Sequence, residues 1–388
     1  MYLLLEILFF ICCFIIFWAM IGYPLSLKIL DKVFKKEELP KNYKYLPTVT
    51  LMIVAHNEEK IIKEKLENVL KLDYPMDKLE ILVASDNSTD NTNQIVYNFI
   101  KENSSRNLRL FEVKERKGKT NAQNEAAKTV NSEILVMTDA NAMLNKKAVT
   151  ELVAAFYKDD IAYVSGRLCY INGEAEWTSE SESVYWDLDT SMRDIESRFQ
   201  TITAGNGAIY ACRTKDYIEI DPIYSHDSSM PLLYALRGKK AICNHNALAY
   251  EKAGENIEDE FSRKVRMNRI ILSFIMPNLK ILNFFKYKWF TYFYLGHRTS
   301  RYLLWLSHIL VFVLNILLIK QGLFFQITLV GQLIFYTLAL LKVLFNINKV
   351  YLNMVYYYCV TIVAQLVGVW RIITGKAKPF WEKAESTR

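Results

Sequence analysis

Polar side chains that could bind a charged ligand recur along the middle of this 388-residue chain. Each group directly follows a short apolar run that predicts a β-strand. The groups are His56, Asn57 and Glu58; Asp86 and Asn87; and Asp139 and Asn141. Their oxygens accept hydrogen bonds and can bind hard divalent cations. Because ligands bind beyond the carboxyl ends of parallel strands, the three groups are predicted to line one crevice for a ligand such as a nucleotide.

The elements that must position these groups alternate between strands and helices. Apolar runs predict strands at 48–55, 79–84, 108–113 and 134–137. Helical spacing and capping residues predict helices at 61–70, 90–102 and 120–130 between them. Near-continuous apolar strands separated by helices indicate an α/β domain with a mostly parallel sheet that helices cover on both faces.

Apolar residues make up 52% of the chain and gather at its two ends. Residues 2–22 can span a hydrocarbon core, and so can the runs 302–319, 323–345 and 350–373. A cleaved signal peptide is the alternative for the first run, but it would carry basic residues ahead of the run and a small-residue cleavage site after it. Buried helices of a soluble protein are the alternative for the last three. Three apolar runs that follow one another with so few charged residues favour membrane helices.

Charge gives the expected orientation. The net charge is +7, and the first apolar run is followed by Lys28, Lys32, Lys35 and Lys36. The positive-inside rule then places the middle domain in the cytoplasm, and the basic flanks favour contact with membrane lipids. The six cysteines lack C-x-x-C spacing, in keeping with reduced thiols. No stripe of basic and aromatic residues crosses the middle domain, so no nucleic-acid partner is expected.

One conflict concerns the C-terminal tail. Four spans starting from an outside N-terminus would return the tail to the outside. The tail nevertheless carries basic residues, which prefer the inside: Arg371, Lys376, Lys378, Lys383 and Arg388. Either the last apolar run does not fully cross, or another segment does.

Several stretches between residues 47 and 266 resemble a family 2 glycosyltransferase domain. They are VAHNEE (54–59), SDNSTDNT (85–92), KGKTNAQNEA (117–126), TDANA (138–142), GNGAIYACR (205–213), SHDSSMPLLYALRG (225–238) and EFSRKVR (260–266). The flanking apolar runs are similar to those of membrane-bound polysaccharide synthases of that family. The resemblance implies a GT-A (Rossmann-like) α/β domain combined with transmembrane and interfacial helices.

The resemblance also implies a nucleotide-sugar site. Asp139 stands at the position of the family's D-x-D metal motif and Asn141 replaces the second acid, so these two would hold Mg²⁺ or Mn²⁺. Asp86 matches the acid that contacts the uracil or ribose, and Lys119 resembles a G-K step near the donor. His56, Asn57 and Glu58 would line the same pocket. The alternatives are a helix cap for Asp139, an Asx turn for Asp86 and a solvated surface position for Lys119.

On the acceptor side, the resemblance makes Asp227 the catalytic base. The family has two acids there, and this chain has His226 followed by Asp227, which could also cap a helix. Gly205, Asn206 and Gly207 would shape the acceptor side. Arg263 and Arg266, three residues apart where many processive synthases have Q-x-x-R-W, would grip the diphosphate. Binding of lipid head groups is their alternative role.

These expectations give a plan for the whole chain. It comprises an N-terminal transmembrane helix (1–30), a cytoplasmic GT-A domain (45–265), interfacial amphipathic helices (266–300), three transmembrane helices (301–375) and a tail (376–388). A helical stretch at 172–200 is predicted to line or cover the crevice.

The predicted function is inverting transfer of a sugar, expected to be UDP-linked, to a growing polysaccharide or lipid-linked glycan. The predicted location is the cytoplasmic face of a bacterial inner membrane. One alternative is a transferase that loads a single sugar onto polyprenyl phosphate or another membrane lipid. Another is a non-catalytic scaffold, suggested by Asn141 and His226 at positions where the family has acids.

Overall fold

An eight-stranded mixed sheet lies at the centre of the part of the chain that the structure describes, in the order β3-β2-β1-β4-β7-β6-β8-β5. The structure is a computed structural model that describes residues 1–171, 177–252, 257–345, 347 and 349–379, with the backbone alone for 177–187 and 257. The strands are β1 (Val49–Ala55), β2 (Leu79–Ser85), β3 (Leu108–Glu112), β4 (Ile134–Asp139), β5 (Met143–Leu144), β6 (Ile161–Tyr170), β7 (Ile209–Arg213) and β8 (Lys240–Glu251). We call residues 49–251 the sheet domain.

The first four strands pair in parallel, as their apolar character predicts. Helices connect or follow them: α3 (Ile62–Val69), α4 (Thr92–Glu102), α5 (Lys119–Ala127) and α6 (Ala148–Ala154). The second half of the sheet is mixed, because β7 runs antiparallel between β4 and β6. The expectation of a mostly parallel sheet therefore holds for β1 to β4, the strands whose ends carry the predicted ligand-binding groups.

Both faces of the sheet are buried. Along β1, Leu51 and Ile53 join the core under α3, α4 and α6, while Met52 and Val54 join the core on the opposite face. This alternation follows from the two-residue period of a strand. Each fully buried side chain of this size contributes roughly 1.5–3 kcal/mol relative to exposure, so the register of β1 is strongly fixed.

Helices outside the sheet form two groups. Associated with the sheet domain are α7 (Trp177–Phe199), α8 (His226–Leu236), α9 (Ile257–Met267), α10 (Ile271–Ile275), α11 (Phe284–Tyr287), α12 (Trp289–Phe293) and α13 (Ser300–Tyr302). The strongly apolar helices are α1 (Tyr2–Phe17), α2 (Tyr23–Val33), α14 (Leu304–Leu318), α15 (Leu323–Phe345) and α16 (Val350–Ile373). A turn of π-helix, Trp18–Gly22, joins α1 to α2.

Three continuous helices in the described residues are long and apolar enough to cross a membrane: Tyr2–Val33, α15 and α16. Helix α14 has 15 residues and extends only about 22 Å, less than a hydrocarbon core of about 30 Å. It forms a possible fourth span only together with the preceding segment Trp289–Tyr302, from which it is bent by 59°. The apolar run at 302–319 is thus a short helix after a sharp bend.

Helix α16 packs lengthwise against the end of α9. Tyr357 donates a hydrogen bond to Glu260 (3.4 Å), and the Lys264 ammonium lies 4.3 Å from the centre of the Tyr357 ring. Further along α16, a Cβ added at Gly368 would lie 2.7 Å from the Cβ of Asn268. These contacts extend over about 16 Å of helix. Because α9 is highly charged, we infer that this stretch of α16 lies at the membrane interface rather than within the hydrocarbon.

This placement predicts that the chain beyond α16 lies on the same side of the membrane as the sheet domain. Paired fluorescent-protein and alkaline-phosphatase fusions after Gly375 should report the same side as fusions after Phe34, which precedes the sheet domain. Opposite sides for the two positions would show that α16 crosses the membrane.

Candidate active site

The first feature of the site is the buried carboxylate of Asp86, which lies directly after β2. Its side chain is 3% exposed and accepts hydrogen bonds from the backbone N–H groups of Lys117 (3.2 Å) and Gly118 (3.0 Å). Gly118 has φ +98°, a conformation that favours glycine, and this lets the loop before α5 turn toward the carboxylate. Asp86 thus ties the loop after β2 to the loop before α5.

The residues after β1 are bound to the loop after β2. His56 Nδ1 lies 2.7 Å from the carbonyl oxygen of Asp86, and Thr89 N–H donates to the side chain of Asn57 at 2.7 Å. Asn57 adopts φ +54°, and Glu58 is buried beside it. The structure therefore brings His56, Asn57 and Glu58 to the same edge as Asp86, where their contacts hold the two loops together.

An ion pair joins the start of α5 to the end of β4. Lys119, the first residue of α5, contacts a carboxylate oxygen of Asp139, the last residue of β4, and the two side chains are 24% and 30% exposed. A Cβ added at Gly207 would lie 3.7 Å from Lys119 Nζ and 3.6 Å from Asp227 Oδ2. The predicted donor-side and acceptor-side residues therefore meet around Gly207.

Asp227 is the second residue of α8, and its carboxylate could accept a proton or a hydrogen bond from a ligand. Among the residues that the structure describes, the carboxylate makes no hydrogen bond or ion pair. Its backbone carbonyl accepts a hydrogen bond from Gly205 N–H (2.7 Å). The helix cap is Ser225, so Asp227 does not serve as the cap.

A cation that the sequence motifs did not single out lies near Asp227. Burial lowers the pKa of Arg269, and the charge of Asp227 partly offsets this effect. The guanidinium also donates to the carbonyl oxygen of Ile223 at 2.8 Å. The sequence did carry a signal for Arg269. Arg263, Arg266 and Arg269 recur at every third residue, and side chains three residues apart lie on one face of a helix.

His226 points into the core rather than the crevice. It is 1% exposed, and its ring nitrogens lie 3.3 Å from Tyr210 OH and 3.0 Å from Asn124 Oδ1. Burial, followed by the charge of Lys119, lowers its pKa to about 3. His226 is therefore neutral and structural, and Asp227 alone of the pair faces the site.

The turn before β7 is tightly packed. A Cβ added at Gly205 would lie 2.8 Å from Cζ of the buried Tyr163 ring. Asn206 is 5% exposed, and its side chain accepts a hydrogen bond from Ala208 N–H at 2.7 Å. The backbone of this turn, rather than the Asn206 side chain, is what the protein presents toward Asp227.

The arginines of RKVR have different surroundings. Arg263 donates two hydrogen bonds to Glu260, at 2.8 and 3.0 Å. Burial raises the pKa of Glu260, but Arg263 and Lys264 outweigh it and lower the pKa to about 2. Arg266 lies half-buried one turn further along α9. Through Glu260, which also accepts a hydrogen bond from Tyr357, Arg263 is linked to the junction between α9 and α16.

The helix predicted at 172–200 to line or cover the crevice is α7. Its aromatic residues Trp177, Tyr185 and Trp186 have side chains outside the described residues.

A model of the family described as "Glycosyl transferase family 2" matches residues 50–220. The match covers just under half of the chain and includes most of the motifs that carry the resemblance. The resemblance carried by the sequence motifs is therefore confirmed over this stretch.

Curated relatives match the same part of the chain. "Probable glycosyltransferase YdaM" of Bacillus subtilis is 36% identical over 147 residues, covering 35% of this chain and 34% of that protein. "Poly-beta-1,6-N-acetyl-D-glucosamine synthase" of Staphylococcus epidermidis is 28% identical over 145 residues, covering 37% and 34%. "Beta-monoglucosyldiacylglycerol synthase" of Nostoc sp. is 26% identical over 144 residues, covering 37% and 31%. The chain thus spans about a third of the length of these relatives.

A solved structure matches nearly the whole chain. The mannosyltransferase PcManGT from Pyrobaculum calidifontis, in complex with GDP-Man and Mn²⁺, aligns with TM-score 0.75 and 20% sequence identity, covering 96% of this chain and 99% of that one. At this identity the likeness concerns the fold alone. It confirms the expected GT-A domain with accompanying helices.

The family 2 domain has oxygen ligands suited to a divalent cation. Asp139 offers a carboxylate, and Asn141, half-buried two residues later, offers an amide oxygen. The described residues contain no group of three or more His, Cys, Asp or Glu side chains that could hold an ion. The Lys119 ammonium forms an ion pair with Asp139, so this carboxylate has a positive group beside it.

A buried lysine supports the loop that bears these ligands. Lys65 is 0% exposed, donates to Thr138 Oγ1 at 3.0 Å and also bonds the carbonyl of Ala142. Burial lowers its pKa to about 7, although Asp139 and Glu251 act in the opposite direction. The helical pattern placed Lys65 on the buried face of α3 without indicating its role.

The packing of the glycine turn yields a stability prediction. Gly205→Ala should lower the free energy of unfolding by about 1–3 kcal/mol, because the new methyl group would overlap the rigid Tyr163 ring. Gly207→Ala is the matched control. Its methyl group would make only ordinary contacts, so the change in stability should stay within about 0.5 kcal/mol. Thermal unfolding of the two variants in detergent tests this, and equal stability would contradict it.

Proposed function

We propose that this chain transfers a sugar from a nucleotide sugar, in particular a UDP-sugar, to a growing polysaccharide or lipid-linked glycan, with inversion at the anomeric carbon. The observation that carries the proposal is the free carboxylate of Asp227 beside Gly207 and the ion pair of Lys119 with Asp139. Asp227 would be the general base and Lys119 a cation for the leaving group. Both lie beside Gly207, where the lack of a side chain would let a sugar come close.

The donor would bind along the carboxyl ends of β1, β2 and β4. Asp86 retains lone pairs that can accept hydrogen bonds from the base or ribose, and His56, Asn57 and Glu58 flank it. Asp139 and Asn141 would hold Mg²⁺ or Mn²⁺. When bound, the ion would neutralise charge on the diphosphate.

The reaction needs one proton acceptor. As the acceptor hydroxyl oxygen bonds to the anomeric carbon, the bond from that carbon to the diphosphate oxygen breaks on the opposite face. The hydroxyl proton passes to the carboxylate of Asp227. Lys119 and Arg269 supply positive charge to the departing diphosphate. Arg263 and Arg266 would extend this positive field along α9, and Gly205, Asn206 and Gly207 would border the acceptor.

The membrane helices supply the setting. The basic residues at and after the end of α2 support a cytoplasmic sheet domain at a bacterial inner membrane. Exposed Phe284 and Phe285 lie beside Lys286 on α11, in keeping with an interfacial segment in contact with lipids. An acceptor linked to a membrane lipid would be held near Asp227 by this arrangement.

A second candidate is transfer of a single sugar to a membrane lipid. The match to a relative named as a monoglucosyldiacylglycerol synthase favours it, and so does the short α14, which leaves few full spans for a polymer path. Product length separates the two functions. A polymer supports polysaccharide synthesis, and a lipid carrying one sugar supports the alternative.

The test of the proposal measures nucleotide release and products from membranes that contain the chain, with UDP-glucose, UDP-N-acetylglucosamine, UDP-galactose and GDP-mannose as donors. Asp227→Asn should lower turnover of the active donor by about 10²–10⁴-fold, because the amide cannot take the proton. Mass spectrometry then gives the number of sugars added.

Asp221→Asn is the matched control, since Asp221 is exposed just before α8 and its contact with Ile223 N–H needs only a carbonyl oxygen. It should retain wild-type turnover. Equal turnover by the wild type and Asp227→Asn would refute the base assignment.

A further inference from the structure

A buried cluster of ionisable side chains joins α7 to the helices that lead into the membrane. Asp189 and Glu196 lie on α7 and are 3% and 0% exposed, and His297 is 3% exposed. The ring nitrogens of His297 lie 2.6 Å from Glu196 Oε1 and 2.9 Å from Asp189 Oδ1. His297 thus joins the two carboxylates of α7 through its two ring nitrogens.

Two membrane-side segments hold this cluster. Tyr23, at the start of α2, donates a hydrogen bond to Glu196 at 2.7 Å and packs against Gly296, where an added Cβ would lie 3.0 Å from the ring carbon Cγ. Arg301 on α13 donates to Asp189 at 2.9 Å. The positions of Asp189 and Glu196 are therefore fixed by residues that belong to, or adjoin, the apolar helices.

Arg193 connects the cluster to the active site. It is 6% exposed, and its Nη2 lies 2.5 Å from Asp189 Oδ2 while its Nη1 donates to the carbonyl oxygen of Gly205 at 2.7 Å. The N–H of Gly205 in turn donates to the backbone carbonyl of Asp227 at 2.7 Å. One guanidinium thus bridges the membrane-side cluster and the turn that holds Asp227.

We propose that Arg193 is a positioning residue that fixes the Gly205–Gly207 turn, and through it the catalytic base Asp227, relative to the membrane helices. The inference rests on the proposed function of Asp227. The planar fork of arginine suits this task, because it offers separate donors to a carboxylate and to a carbonyl in one rigid geometry. Asp86, which would contact the base or ribose, bonds the backbone of Lys117 and Gly118 rather than the Gly205 turn, so binding of the nucleotide should depend less on this bridge than turnover does.

A purely structural role for Arg193 would be the neutralisation of buried Asp189. Burial raises the pKa of Asp189, but Arg193, His297 and Arg301 together outweigh it and hold the pKa well below its usual range. Loss of that charge would lower stability and every activity parameter together. A positioning role instead predicts loss of turnover with donor binding and stability retained.

The discriminating variant is Arg193→Lys, which keeps a cation for Asp189 but lacks the fork needed to bond Gly205 as well. In the purified full-length chain, with the active donor from the panel above, kcat should fall by about 10–100-fold, the loss typical of a misplaced catalytic group. The KM for the donor should stay within about twofold, and the melting temperature should be close to that of the wild type.

Arg198→Lys is the matched control. Arg198 lies on the same helix and bonds Asp31 (2.7 Å) and Asp194 (2.8 Å), away from the Gly205 turn. Its kcat should equal that of the wild type. Asp189→Asn is a second probe, because it weakens the anchor of Arg193 while leaving the bond to Gly205 possible, and it should show the same selective loss of kcat on a smaller scale.

Wild-type kcat in both Arg193→Lys and Asp189→Asn would overturn the inference. A parallel loss of kcat, donor affinity and melting temperature would overturn it in favour of the structural role. Failure of the wild type to release nucleotide from any donor would refute the proposed function itself, and the positioning role with it.

Discussion

The parallel pairing of β1 with β2 and with β4 is the constraint on which the rest of the site depends. Its register sets Ala55 opposite Ser85 and Val54 opposite Asp139, so the three strands end at one edge. A slip of one residue would exchange the two buried faces of β1 and is therefore strongly disfavoured. Because apolar packing fixes the register, the polar residues beyond the strand ends are brought to one edge, where they hold the loops by hydrogen bonds.

Much of this arrangement follows from the sequence, since apolar strands and polar strand ends are local patterns. Asp86 and Asp139 were predicted at the carboxyl ends of neighbouring strands, and the structure has β2 ending just before Asp86 and β4 ending at Asp139. The roles of His226 and Arg193 could not be predicted, because they depend on partners brought together only by the tertiary fold. His297, for example, meets Glu196 across 101 positions of sequence. The periodicity of α3 likewise placed Lys65 on a buried face but gave no sign of the carbonyl it bonds.

The membrane part is packed against the sheet domain rather than merely tethered to it. In the part of the chain that the structure describes, buried polar contacts join the two parts around Glu260, between α9 and α16. They also join them around Glu196, between α7, α2 and the π-helical segment Tyr294–Thr299 that carries His297. Ionised groups in such surroundings are costly unless every partner is present, so they favour one relative orientation of the parts. A fixed orientation would suit the proposed transfer to a membrane-bound acceptor.

The central claim is that Asp139 and its neighbours form a cation-dependent nucleotide site. Calorimetric titration of UDP and of GDP into the purified chain, with and without Mn²⁺, tests it most directly. Mn²⁺ should tighten binding of one nucleotide to the wild type about tenfold or more, a gain of roughly 1.4 kcal/mol. Asp139→Asn should abolish this gain. Asp77→Asn should retain it, because Asp77 is an exposed acid that is not among the candidate site residues. An equal Mn²⁺ effect in Asp139→Asn, or none in the wild type, would contradict the account.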